Sequence, residues 1–129
     1  MNQLRAKLIH IEAVESLHLL TFELDKELIY MLSLELSPNL QIGKVVTLAI
    51  KSTNIAIAKE FTGVLSYLNQ LNAEVVSVNN GKILSSIVLN IEGFELESLI
   101  TLKASLAMDL KIDDEVTVLI SGSEVSVCG

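Results

Sequence analysis

The chain has 129 residues, half of them hydrophobic and 4% aromatic, with 9 basic and 16 acidic residues for a net charge of −7. That length suits one ordinary domain or two very small ones, and bulk drawn from Val, Ile, Leu and Ala favours packed β structure over aromatic platforms for stacking bases. No cluster of Lys and Arg is present to meet a phosphate backbone, which argues against direct nucleic-acid binding. The longest uncharged stretch, Phe61 to Ala73, is polar and too short to span a bilayer. The N-terminus lacks the charged, apolar and cleavable pattern of a signal peptide, so a cytoplasmic location is expected. Cys128 is the single cysteine and cannot close an internal disulfide.

In chain order, the segment NQLRAKLIHI at 2–11 opens the first run of strands. Asp25-Lys26 and Pro38-Asn39 break that run into turns. The strand segment LQIGKVVTLAI follows at 40–50, and KSTNIAI at 51–57 sets a polar patch before the next apolar run. The pattern then returns. NQLNAEVVSV at 69–78 repeats 2–11 at an offset of 67, and LKIDDEVTVLI at 110–120 repeats 40–50 at an offset of 70. SGSEVSV at 121–127 answers to KSTNIAI. Two copies of one module thus fill nearly the whole chain.

In the second copy the spacing predicts strands at 71–78, 83–91, 94–102, 114–120 and 123–127. NNGK at 79–82 forms a hairpin turn, with further turns at Glu92-Gly93 and Gly122. LKASLAMD reads as a single helical turn. Along 114–120, Val116, Val118 and Ile120 face one way while Thr117 and Leu119 face the other. Short strands at this spacing predict an all-β chain of two tandem five-stranded barrels, residues 1–62 and 63–129. A barrel of that size buries little surface alone, so the two should pack together and assemble into homo-oligomers. Residues 1–66 carry 6 basic and 7 acidic groups (−1), and 67–129 carry 3 and 9 (−6). The half with the KST patch is the less hostile one for an anion.

Other polar residues point to no chemistry. His10 and His18 have no cysteine or third histidine beside them to complete a metal site. Asp113, Asp114 and Glu115 form an acidic turn without the ligand spacing of a calcium loop. No nucleophile, base and orienting group assemble into a catalytic set, so the chain reads as a binding protein and not an enzyme.

The stretches NQL at 2–4, SYLNQL at 66–71 and IKSTNIAIA at 50–58 resemble the Mop, or TOBE, domain family in its tandem form. The resemblance implies OB-like five-stranded barrels that bind molybdate or tungstate between modules, for molybdenum storage or homeostasis. The other role it implies is a regulatory or oligomerisation module of a molybdate-responsive regulator or transporter, with weak or lost binding. It also implies a dimer or trimer, with the oxyanion as ligand and no catalytic cofactor. Such an oxyanion is a tetrahedral dianion with acceptors only, so a protein must surround it with N–H and O–H groups and some positive charge.

Carried over residue by residue, Lys51 supplies charge, and Ser52 and Thr53 supply hydroxyls and backbone amides. Ser66 and Asn69 come from the start of a module, and Ser33 or Thr101 completes the shell as a middle-strand hydroxyl. The departures are specific. Leu68 stands where the family has Arg, removing a bidentate donor. The first copy lacks the Ser and Arg before NQL, and the second has Ser121-Gly122 where Lys-Ser would stand. Each copy keeps a different half of the motif, so the resemblance implies one composite site pairing Lys51 and Ser52 with Ser66 and Asn69.

Overall fold

The alternation of the sequence becomes ten strands, one short helix and two 3₁₀ turns in the computed structural model, which describes residues 1–128. The first copy supplies β1 (Asn2–Val14), β2 (Leu17–Glu23), β3 (Leu28–Ser33), β4 (Val45–Ile50) and β5 (Ala56–Lys59). The second supplies β6 (Asn69–Asn80), β7 (Leu84–Ile91), β8 (Phe94–Thr101), helix α1 (Leu102–Met108), β9 (Glu115–Ile120) and β10 (Ser126–Cys128). A 3₁₀ turn precedes each last strand, at Ser52–Asn54 and at Gly122–Glu124. Strand β6 shows the period-2 logic plainly: Asn69, Leu71, Ala73 and Val75 are buried while Gln70, Asn72 and Glu74 face out.

The strands form two antiparallel, OB-like five-stranded sheets ordered β10-β4-β1-β2-β3 and β5-β9-β6-β7-β8. Each sheet has the five strands the repeat predicts, but its short edge strand comes from the other copy. Ala56–Lys59 pairs with Val116–Leu119 of the second copy, and Ser126–Cys128 pairs with Thr47–Ala49 of the first. Both exchanged strands are short, of four and three residues. The preceding 3₁₀ turns carry the chain across. The repeat extends to irregularities: the ladder of β1 with β2 slips between Leu8 and His10, and that of β6 with β7 between Val75 and Ser77. These bulges sit 67 residues apart and sharpen the curl of both long strands. One continuous core, from Leu4, Leu8, Phe22 and Ile29 to Leu71, Ile87, Leu89 and Ile120, joins the two sheets.

The helix is longer than the predicted single turn. Thr101 Oγ1 accepts from the Ala104 amide at 3.1 Å, and Asp109 ends α1 in the left-handed conformation at φ 49°. The hairpin at Glu92-Gly93 turns with φ of 53° and 91° at its two central residues, which suits a two-residue loop matched to strand twist. The exchanged strand β5 is fastened at its end. Lys59 Nζ donates to the carbonyls of Met108 and Asp109 at 3.1 and 2.8 Å and pairs with Asp114 Oδ2 at 3.0 Å.

Asp114 is held below its ordinary pKa of 3.8, first by the Lys111 amide that donates to it and then by Lys59. A depressed carboxylate stabilises the fold above its unfolded pKa and loses that contribution as pH falls through its folded value. Asp114→Asn should therefore flatten the acid limb of the stability curve while lowering stability at neutral pH. Thermal melts of both proteins from neutral to acidic pH check this, and parallel acid limbs would contradict it.

Candidate functional site

The two 3₁₀ turns meet. Asn54 at the end of the first donates through Nδ2 to Glu124 Oε2 at the end of the second, at 2.9 Å. These residues sit 70 apart, at matching places in the two copies. The first turn is closed by the Asn54 amide on the Lys51 carbonyl at 2.9 Å, and the second by the Glu124 amide on the Ser121 carbonyl at 3.0 Å with the Val125 amide on the Gly122 carbonyl at 3.4 Å.

Two hollows flank the Asn54–Glu124 bond, and both of these residues line each hollow. One, of about 190 Å³, is bordered by Met1, Lys51 and Ser123. The other, of about 400 Å³, is bordered by Thr53, Tyr67 and Ser121. The first therefore holds the cation, and the second holds two hydroxyls and a phenol. Lys51 is exposed, and its ammonium has no hydrogen-bond or ion-pair partner among the described residues.

Strand register decides which module start each turn faces. Asn2 pairs with Ile50, so Lys51 lies beside the start of β1. Asn69 pairs with Ile120, so the Ser66–Leu68 segment lies beside Ser121. Within one chain, Lys51 and Tyr67, the neighbour of Ser66, line different hollows. Of the seven residues read as an oxyanion shell, Lys51 borders the smaller hollow and Thr53 the larger.

The other polar groups have partners of their own. Ser52 Oγ donates to Glu97 Oε1 at 3.1 Å. Asn69 is buried, accepting from the Tyr30 amide at 2.7 Å and donating to the Tyr30 carbonyl at 2.8 Å. Asn2 does the same 67 residues earlier, accepting from the Glu97 amide at 2.7 Å and donating to its carbonyl at 2.8 Å. The asparagine of each NQL motif thus grips the middle of the outer strand of the opposite sheet. The resemblance gave Asn69 a ligand role. The offset of 67 would have predicted that the two act alike.

Ser33 Oγ bonds the carbonyl of Glu35 and accepts from its amide in a local turn. Thr101 Oγ1 is the cap of α1. Thr101→Ala should cost about 0.5–2 kcal/mol of stability, the usual value of such a cap. It should leave oxyanion affinity unchanged, which chemical denaturation and titration calorimetry check separately.

Gly122, which stands where the first copy has Ser52, packs tightly. A Cβ there would lie 3.4 Å from the Tyr30 carbonyl oxygen and 3.5 Å from the Leu32 nitrogen. The second turn therefore lies close against β3, while the first offers a hydroxyl to Glu97. Among the described residues no group of three or more His, Cys, Asp or Glu could hold a metal ion. No helix is long and apolar enough to cross a membrane.

A tandem pair of OB-like sheets with exchanged edge strands and facing polar turns defines a class of small all-β, two-module proteins. Residues 65–127 match the TOBE domain family. A molybdate binding protein from Sporomusa ovata is similar at 31% identity over 52% of this chain and all of that one, with a TM-score of 0.50. The cytoplasmic molybdate-binding protein ModG, solved with molybdate bound, superimposes with a TM-score of 0.91 at 21% identity, covering 98% of this chain and 94% of that one. No curated protein matches the sequence. The chain belongs to the TOBE family in its tandem, Mop-type form.

Proposed function

We propose that the chain binds molybdate or tungstate reversibly at an interface between modules, as part of intracellular molybdenum storage or homeostasis. Recognition is by hydrogen bonds and charge alone, and no bond is made or broken. The observation that carries this reading is the first 3₁₀ turn. It sets an exposed ammonium with no partner among the described residues beside the Asn54 amide and the Ser123 hydroxyl. On a chain of net charge −7, a dianion needs such a local cation. The likeness to two molybdate-binding proteins supports the choice of oxyanion. One lysine only half-compensates a dianion, so the account places the complete shell between copies of the chain, in a dimer or trimer, where the Ser66 segment of one copy can approach the Lys51 turn of another.

A second reading draws on Glu124, Leu68 and Glu97. Glu124 borders both hollows, Leu68 replaces a family arginine, and the Ser52 hydroxyl is already bonded to Glu97. These favour a regulatory or oligomerisation module of a molybdate-responsive regulator or transporter, with weak or lost binding. Titration calorimetry with molybdate, tungstate and sulfate separates the two. Heat with the first two but not with sulfate supports the binding role, and no heat with any of them overturns it.

A further inference from the structure

The Ser52 hydroxyl, next in sequence to Lys51, already donates to an anion, and the protein supplies it. The Glu97 carboxylate, half-buried on β8, accepts from Ser52 Oγ at 3.1 Å through Oε1 and from Ser86 Oγ at 2.7 Å through Oε2. Its backbone is fixed on both sides by Asn2, whose Nδ2 also lies 3.4 Å from Ser52 Oγ. Two hydroxyls converging on one pair of oxygens is the arrangement an external oxyanion would seek. Matching positions in the other half carry no such group: Tyr30 stands for Glu97, Gly122 for Ser52 and Leu19 for Ser86. Charge and hydroxyls were therefore placed together in one half only.

We propose that Glu97 is a built-in anion that fills the donor set of the Ser52 turn and sets how strongly this turn accepts an external oxyanion. The inference rests on the binding role proposed above and names the residue that tunes it. A dianion arriving at the Ser52 turn meets the fixed negative charge of Glu97, and the hydroxyl it would use is already donating to that carboxylate. Removing the charge while keeping the shape frees Ser52 and Ser86 to turn toward the ligand. Glutamine still offers an amide to hold the pocket together.

The test is titration calorimetry with molybdate on wild type, Glu97→Gln, the double variant Glu97→Gln with Ser52→Ala, and Glu12→Gln, an exposed charge at the far end of β1. Glu97→Gln should bind at least about tenfold tighter than wild type, from removal of a like charge at close range. Ser52→Ala should remove most of that gain, and Glu12→Gln should change nothing. Should Glu97→Gln fail to fold, Glu97→Tyr takes its place, copying the residue the other half carries there. Molybdate binding by wild type with no gain in the Glu97 variant overturns this inference alone. An equal gain in Glu12→Gln also overturns it, because the effect would then be one of net charge. Binding by Glu97→Gln but not by wild type supports it. No binding by any of the four proteins overturns it together with the binding role.

Discussion

Lys51→Met is expected to weaken molybdate binding by about 10- to 100-fold, because one charge-assisted hydrogen bond contributes about 1.5–3 kcal/mol and each 1.4 kcal/mol is about a decade in affinity. The same substitution should leave the melting temperature within a degree or so, since Lys51 is exposed and its ammonium holds nothing in place among the described residues. Few site residues allow so clean a separation. Ser52 is bonded to Glu97 and Thr101 caps a helix, so changing them alters structure as well as site. Titration calorimetry paired with differential scanning calorimetry checks both halves. Unchanged affinity for Lys51→Met would remove the lysine from the account.

The largest expected stability effect belongs to Asn69. Its side chain is 1% exposed and both ends of its amide are bonded to the backbone of Tyr30. β3 is an edge strand, and Asn69 acts toward it as one peptide group of a missing neighbour strand. Asn69→Ala leaves a donor and an acceptor without partners, at about 1–3 kcal/mol each, for a total of about 2–6 kcal/mol. Asn2→Ala should cost less, because Asn2 is only half-buried and water can replace part of its grip on Glu97. Urea denaturation of both variants gives the ordering. A loss for Asn69→Ala below that for Asn2→Ala would contradict the reading of these residues as staples between the sheets.

Much of the architecture was legible in the sequence because it depends on local pattern. Alternation gave the strands, Asn-Gly and Glu-Gly gave the hairpins, and the offsets of 67 and 70 gave the repeat. Features set by distant partners were not legible. The exchange of β5 and β10 leaves no local mark, since Ala56–Lys59 finds its partner strand in the other copy, at Val116–Leu119. The resemblance made Thr101 a middle-strand hydroxyl, while its capping role depends on the helix that LKASLAMD forms after it. Glu97 gave no signal at all. A glutamate in FELES looks like a solvated strand residue until Ser52 and Ser86 are brought to it. Asn69 was placed in the right motif, but its partner lies 39 residues away on another sheet.

The proposed site holds a tetrahedral dianion where Lys51 heads the first 3₁₀ turn. A crystal grown with tungstate and measured at the tungsten absorption edge locates the anion without assumptions about its ligands. An anomalous peak is expected within hydrogen-bonding reach of Lys51 Nζ, with donors from a second module completing the shell. A peak elsewhere on the molecule, or none while calorimetry still shows binding, would contradict it.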